Sequence, residues 1–295
     1  ATGRTFTHFN MINESENMKD EDKLYLFQGV LLPSIMCPEE NMKALHDFQA
    51  RADDVLLVAY PKCGFNWMVS VLRKIISKST GREAESRPHP PLIEFMAPEQ
   101  QKDAPSPRLL GTHLHPDRIP ASFYQQKTKM LVIFRNPKDT LVSYFHFSNK
   151  NPVLPAVDWD SFYSDFMKGN VAWGSYFQHA LAWNKKMEDP NVKVLTYEEL
   201  KKDLGGCVRQ ISEFFGFALT EFQVKEIAGE STFDAMKNSS SGSHGNLGNV
   251  FFRKGEVGDW KNHFSSEQSA EMDEAFKDQL ERTKLGDVLN YKQWC

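Results

Sequence analysis

Four short, largely apolar runs recur along the chain at 55–60 (VLLVAY), 109–113 (LLGTH), 130–135 (MLVIFR) and 192–197 (VKVLTY). Each is followed by a longer stretch in which apolar positions return with helical spacing. A strand exposed on one face alternates apolar and polar residues, whereas these runs are apolar on both, as in a parallel sheet covered on both sides. The pattern predicts an α/β fold of three layers, a central mostly parallel sheet flanked by helices.

Helix starts can be read locally. Asn136 is a good N-cap, Pro137 suits the first helical position and Asp139 the first turn, so a helix is expected from there to about Ser148. Others are expected over 67–76, over 173–186, over 198–215 with a break at Gly205-Gly206, and over 266–282 as a last long helix. Residues 238–249 are too rich in Gly and Ser for helix or strand and are expected to form a gate over a site. No repeat or linker divides the chain, so one domain over residues 1–295 is expected, with 1–20 as a loosely ordered tail.

The chain has 295 residues, 40% of them hydrophobic, which suffices for a sizeable core. Lys plus Arg number 35 and Asp plus Glu 39, a net charge of −4, so no global positive field exists to hold nucleic acid or an anionic membrane. Any anion must be held by a local site. No apolar run approaches the roughly 20 residues of a membrane span, and the first residues lack the pattern of a secretory signal. Cys37, Cys63, Cys207 and Cys295 lie far apart without metal-ligand spacing, which argues against zinc and against a disulfide framework and favours a reducing, cytoplasmic location.

Three basic segments supply that local site. Residues 60–67 (YPKCGFNW) join the first apolar run to a helix, where unpaired N–H groups face an anion at the carboxyl end of a strand. The loop is P-loop-like without being a Walker A motif, since Lys62 precedes Gly64 and no Ser or Thr follows the lysine to hold a metal. Arg135 ends a second strand beside another helix start, with Ser143 two turns on. Phe251-Phe252-Arg253-Lys254-Gly255 follows the Gly/Ser-rich stretch. Either lysine or arginine alone would read as a solvated surface cation; together they suit a nucleotide with several phosphates. His113, at the end of a third strand, is the candidate general base, with His115 as second choice, and no acidic cluster of metal-ligand type is present.

The motifs YPKCGFNWM (60–68), THL (112–114), RNPKDTLVSYFHF (135–147), TYEEL (196–200), STFDAM (231–236) and RKGEVGDWKNHF (253–264) resemble, in order and over most of the chain, the cytosolic sulfotransferases, and family 6B in particular. These use 3′-phosphoadenosine-5′-phosphosulfate (PAPS) as co-substrate, release PAP and need no metal. The resemblance implies that Lys62, Cys63, Gly64, Phe65, Asn66 and Trp67 surround the phosphosulfate. It implies that Arg135, Ser143, Arg253, Lys254 and Gly255 grip the 3′-phosphate. Trp67, Tyr197, Thr232 and Phe233 would hold the adenine, Ser231, Met236, Phe251 and Phe252 would also bind the cofactor, and His113 and Lys62 would be catalytic.

Three departures from the family pattern stand out. Cys63 replaces a serine, Phe65-Asn66 replace two threonines, and Gly111 replaces a lysine of many members. The family's dimer motif starts at Lys261 but continues with Ser265-Ser266 and Ala270, so a monomer is expected, with a homodimer as the alternative. The implied acceptor is a small, largely apolar hydroxyl compound: a phenol first, or an alcohol, steroid or iodothyronine such as thyroxine. Residues 27–32, 95–96 and 144–147 are expected to line its pocket. The rival readings are a non-catalytic PAP-binding protein and a small-molecule kinase.

Overall fold

The computed structural model describes residues 8–85, 91–243 and 253–295. Two antiparallel strands, β1 (Leu24–Phe27) and β2 (Val30–Pro33), precede a four-stranded sheet of β3 (Val55–Ala59), β4 (Leu109–Thr112), β5 (Lys129–Phe134) and β6 (Val192–Thr196). The sheet is parallel throughout, in the order β4-β3-β5-β6, with Val55 opposite both Leu109 and Lys129 and with Met130 opposite Val192. All four apolar runs are therefore strands of one sheet.

Every residue of β3 is buried, as are Met130 to Phe134 of β5, so helices cover both faces. Each such Leu, Ile or Val removed from water contributes about 1.5–3 kcal/mol, which makes this pair of strands the axis of the core. The helices Phe65–Thr80, Leu204–Phe215 and Glu221–Glu230 pack together over the sheet. Helix Tyr176–Asn184 meets it through Tyr176 and His179, whose rings contact Phe134.

The strand order positions the site. From β3 the chain crosses to β4 on one side, then returns to β5 on the other, so the loops after β3 and β5 diverge from neighbouring strand ends. A crevice opens at such a switch point, at the carboxyl ends of the strands.

Several boundaries differ from the sequence pattern, each because a cap decides it. The break after β6 falls at Asp203, whose side chain accepts from the Gly206 N–H and starts a new helix, Leu204–Phe215; the glycine pair lies inside its first turn. Trp173 is not helical: it and Gly174 have φ of 64° and 80°, and Ser175 caps helix Tyr176–Asn184. Helix Ser266–Gln279 is followed by two more, Lys284–Leu289, capped by Thr283, and Tyr291–Trp294.

Part of the expected tail is helix His8–Glu16. The stretch expected to be neither helix nor strand begins inside helix Phe233–Ser243, because the Thr232 side chain caps that helix and its turns carry through the serines. Residues 244–249 of the expected gate lie outside the described residues, as do Phe251 and Phe252. Among the described residues no helix is long and apolar enough to cross a membrane.

Candidate active site

The loop after β3 turns back on itself through two residues of positive φ, Lys62 at 70° and Gly64 at 101°. Gly64 is the N-cap of helix Phe65–Thr80, and a Cβ there would lie 3.1 Å from Tyr197 Cδ2, so glycine serves both the conformation and the close approach. The helix start and the Lys62 ammonium thus face the same crevice. Burial first, then the neighbouring Arg135 and Arg253, push the Lys62 pKa down to about 7. A like-charged cluster with so weakened a lysine is complementary to a strongly anionic ligand.

Arg135 follows β5. Its Nη1 donates to the Lys62 carbonyl at 3.2 Å and its Nη2 to the Glu256 carbonyl at 3.4 Å, and its guanidinium lies 4.1 Å over the Tyr197 ring. Its buried Nε has no hydrogen-bond partner among the described residues. Asn136 caps the following helix Pro137–Lys150 as its sequence foretells, accepting from the Asp139 N–H, and its own N–H and amide donate to Glu198 Oε1.

Asp139 does more than favour a helix start. Its carboxylate accepts from the N–H groups of Gly258 (2.8 Å) and Trp260 (3.1 Å), fastening the third basic segment across the crevice. Within that segment Asp259 pairs with Arg253 (2.6 Å) and Lys254 (3.0 Å). Burial opposes ionisation of Asp259, yet hydrogen bonds from Arg253, Asn262 and Lys254 hold it well below the usual carboxylate range.

His113 lies just beyond β4, buried. Its Nδ1 is 2.6 Å from the Ala59 carbonyl, which can only accept, so Nδ1 carries the proton and the neutral ring has its lone pair on Nε2. Burial lowers its pKa to about 4. The imidazole stands between the rings of Phe65 (centroids 5.0 Å) and Trp173 (4.8 Å). Beneath it Glu94, fully buried and pushed by burial up to about 7, accepts from the His113 N–H, Trp173 Nε1 and Thr112 Oγ1.

The three basic segments and His113 share one cavity of about 540 Å³. Lys62, Gly64, Phe65, Asn66, Trp67, His113, Arg135, Ser143, Tyr197, Phe233, Arg253, Lys254 and Gly255 all line it. Cys63 does not: its thiol is buried against Thr140 Oγ1 at 3.6 Å, and burial pushes it up to about 12. Ser231 stands behind the wall, its carbonyl accepting from Trp67 Nε1 and its hydroxyl from Lys74. Met236 packs on Ser70, while Thr232 is exposed at the helix start. His115, the second-choice base, is outside the cavity beside His179.

The apolar side is formed by Met11, Met36, Phe95, Met96, Phe147 and Trp173. Residues 27–32 do not line it, because they are committed to the β1–β2 hairpin, where Gln28-Gly29 make the turn and Leu32 enters the core. Of 144–147, Tyr144, His146 and Phe147 line the cavity and Phe145 does not. Glu94, Trp173 and the helix bearing Met11 carry no functional signal in the sequence. Only the acidic residues inside otherwise basic motifs, Asp139 and Asp259, could have hinted at a brace.

Over residues 52–284 the chain matches the family model described as a sulfotransferase domain, and it belongs to the sulfotransferase family. It is a PAPS-dependent sulfotransferase and resembles family 6B. It is 59% identical over 282 residues to sulfotransferase 6B1 of Danio rerio, covering 94% of this chain and 95% of that one. With the Homo sapiens 6B1 protein the identity is 46% over 275 residues, covering 92% and 90%. The crystal structure of mouse sulfotransferase SULT7A1 complexed with PAP matches with a TM-score of 0.80 at 33% identity, over 93% of this chain and 100% of that one.

Proposed function

We propose that the cavity transfers the sulfuryl group of PAPS to the hydroxyl of a small, largely apolar acceptor, with His113 as general base and Lys62 stabilising the leaving oxygen. The observation that carries this reading is the neutral His113, with an acceptor lone pair on Nε2, lining the same cavity as the cationic group of Lys62, Arg135 and Arg253. A phenol has a pKa near 10, so its oxygen sheds its proton to Nε2 as it bonds to sulfur. The bond from sulfur to the bridging oxygen breaks, and PAP leaves with that oxygen's charge facing Lys62 and the helix start. The donor's negative charge raises the basicity of His113 from its low value in the free protein.

The 60–67 loop surrounds the phosphosulfate in this reading. Arg135, whose Nε has no partner among the described residues, joins Ser143 and the 253–255 segment at the 3′-phosphate, and Trp67, Tyr197 and Phe233 hold the adenine. The PAP complex of the SULT7A1 relative supports the donor assignment. Methionines and aromatic rings on the other side suit a phenol first, then an alcohol, steroid or iodothyronine such as thyroxine. The chain acts as a single sulfotransferase domain, a cytoplasmic monomer.

The test is incubation with sulfur-labelled PAPS and a panel of phenols, steroids, iodothyronines and amines, with and without EDTA. Label is expected in a phenolic product at a rate EDTA does not change. Tight PAP binding with no labelled product would favour a non-catalytic binder, and loss of transfer in EDTA would reject the metal-free mechanism.

A further inference from the structure

Two departures from the family pattern meet in space. Phe65 opens the helix after the β3 loop and is 4% exposed, and Gly111 lies in β4. The Phe65 ring fills the volume that a side chain at 111 would need: a Cβ built on Gly111 would overlap Phe65 Cζ and lie 2.6 Å from Cε2. Real Cβ atoms do not approach a ring so closely, so one of the two residues must give way.

The same ring meets the His113 imidazole with centroids 5.0 Å apart and an interplanar angle of 62°, and Trp173 meets it at 4.8 Å and 78°. With the Nδ1–H tied to Ala59, two rings and one hydrogen bond fix the imidazole; Phe65 has no polar group and the Trp173 Nε1–H is committed to Glu94, so neither ring competes for Nε2. We propose that Phe65 is a positioning residue for His113 and that Gly111 is required because it admits the Phe65 ring, so that residues 65 and 111 act as one unit. The burial that depresses the basicity of His113 agrees with this, since Phe65 is part of what excludes water from it.

The inference rests on His113 being the base, and the experiment separates the two claims. Phe65→Ala, Gly111→Ala and the double variant are compared with the parent. Each single variant is expected to lower kcat about 10- to 100-fold by misplacing the imidazole. The double variant is expected to lose no more than Phe65→Ala alone, because a Cβ at 111 then meets no ring. Losses that multiply in the double variant, or a Gly111→Ala enzyme as active as the parent, would overturn the proposal.

NMR titration of the His113 ring needs no turnover. In Phe65→Ala its pKa should rise by about one unit or more toward the ordinary 6.5, and an unmoved titration would overturn the positioning role even if Gly111→Ala failed to fold. Normal turnover in His113→Ala would instead reject the base assignment and leave the NMR result standing.

Discussion

The guanidinium carbon of Arg135 lies over the Tyr197 ring, 4.1 Å from its centroid, while its buried Nε–H has no acceptor among the described residues. A buried, unpaired donor on a fixed cation costs about 1–3 kcal/mol unless an anion meets it.

Arg135→Ala should therefore weaken PAP binding about 10- to 100-fold, the worth of one or two charge-assisted hydrogen bonds. Adenosine 5′-phosphate, which lacks the 3′-phosphate, should lose less than about threefold. Calorimetric titration of both ligands checks this, and equal losses would remove the 3′-phosphate role.

Lys62 gives a proton-linkage signature. Its pKa of about 7 in the free protein leaves it mostly neutral at pH 8, and a bound polyanion restores its ordinary value. PAP binding at pH 8 should take up close to one proton, measured as a dependence of binding enthalpy on buffer ionisation enthalpy. Lys62→Arg, which stays charged, should abolish the uptake.

Removal of the imidazole separates chemistry from binding. His113→Ala should lower turnover by about 10²–10⁴-fold while PAP affinity stays within about threefold. A parallel loss of PAP affinity would mean that His113 is a ligand contact or a fold determinant, not a base.

Glu94 makes stability depend on pH with a sign opposite to that of an ordinary carboxylate. Burial raises its folded pKa to about 7, whereas the unfolded value is about 4.5, so the folded state binds the extra proton between those values. Its contribution is fully present below pH 4.5 and is lost as pH rises through 7, a change of about 3 kcal/mol. Glu94→Gln cannot ionise, so its destabilisation, read by urea unfolding, should be smaller at pH 8 than at pH 5. An equal cost at both would show that Glu94 titrates normally.

The sheet was legible because β3 and β5 are buried on both faces, which leaves continuous apolar runs with no helical alternative of that length. Lys62, Arg135 and His113 were legible because each follows such a run, where a parallel sheet collects its ligands. Helix limits were not, because Asp203, Ser175 and Thr283 set them by side-chain caps that compete with equally plausible glycines and serines nearby. Glu94 and Trp173 were silent because their meaning depends on groups brought from distant segments: Thr112 and His113 share no sequence neighbourhood with either. Only the Gln28-Gly29 turn could have shown that residues 27–32 belong to a hairpin and not to the cavity.

Asp139 lies at the start of one helix, yet the N–H groups it holds belong to Gly258 and Trp260, more than a hundred positions later. The strand ends carrying Lys62, His113 and Arg135 all precede that late stretch in the chain. Without it, those strand ends would lack the Arg253 and Lys254 side chains that Asp259 holds beside them. In the proposed reading, donor capture therefore depends on a segment that Asp139 holds from far along the sequence.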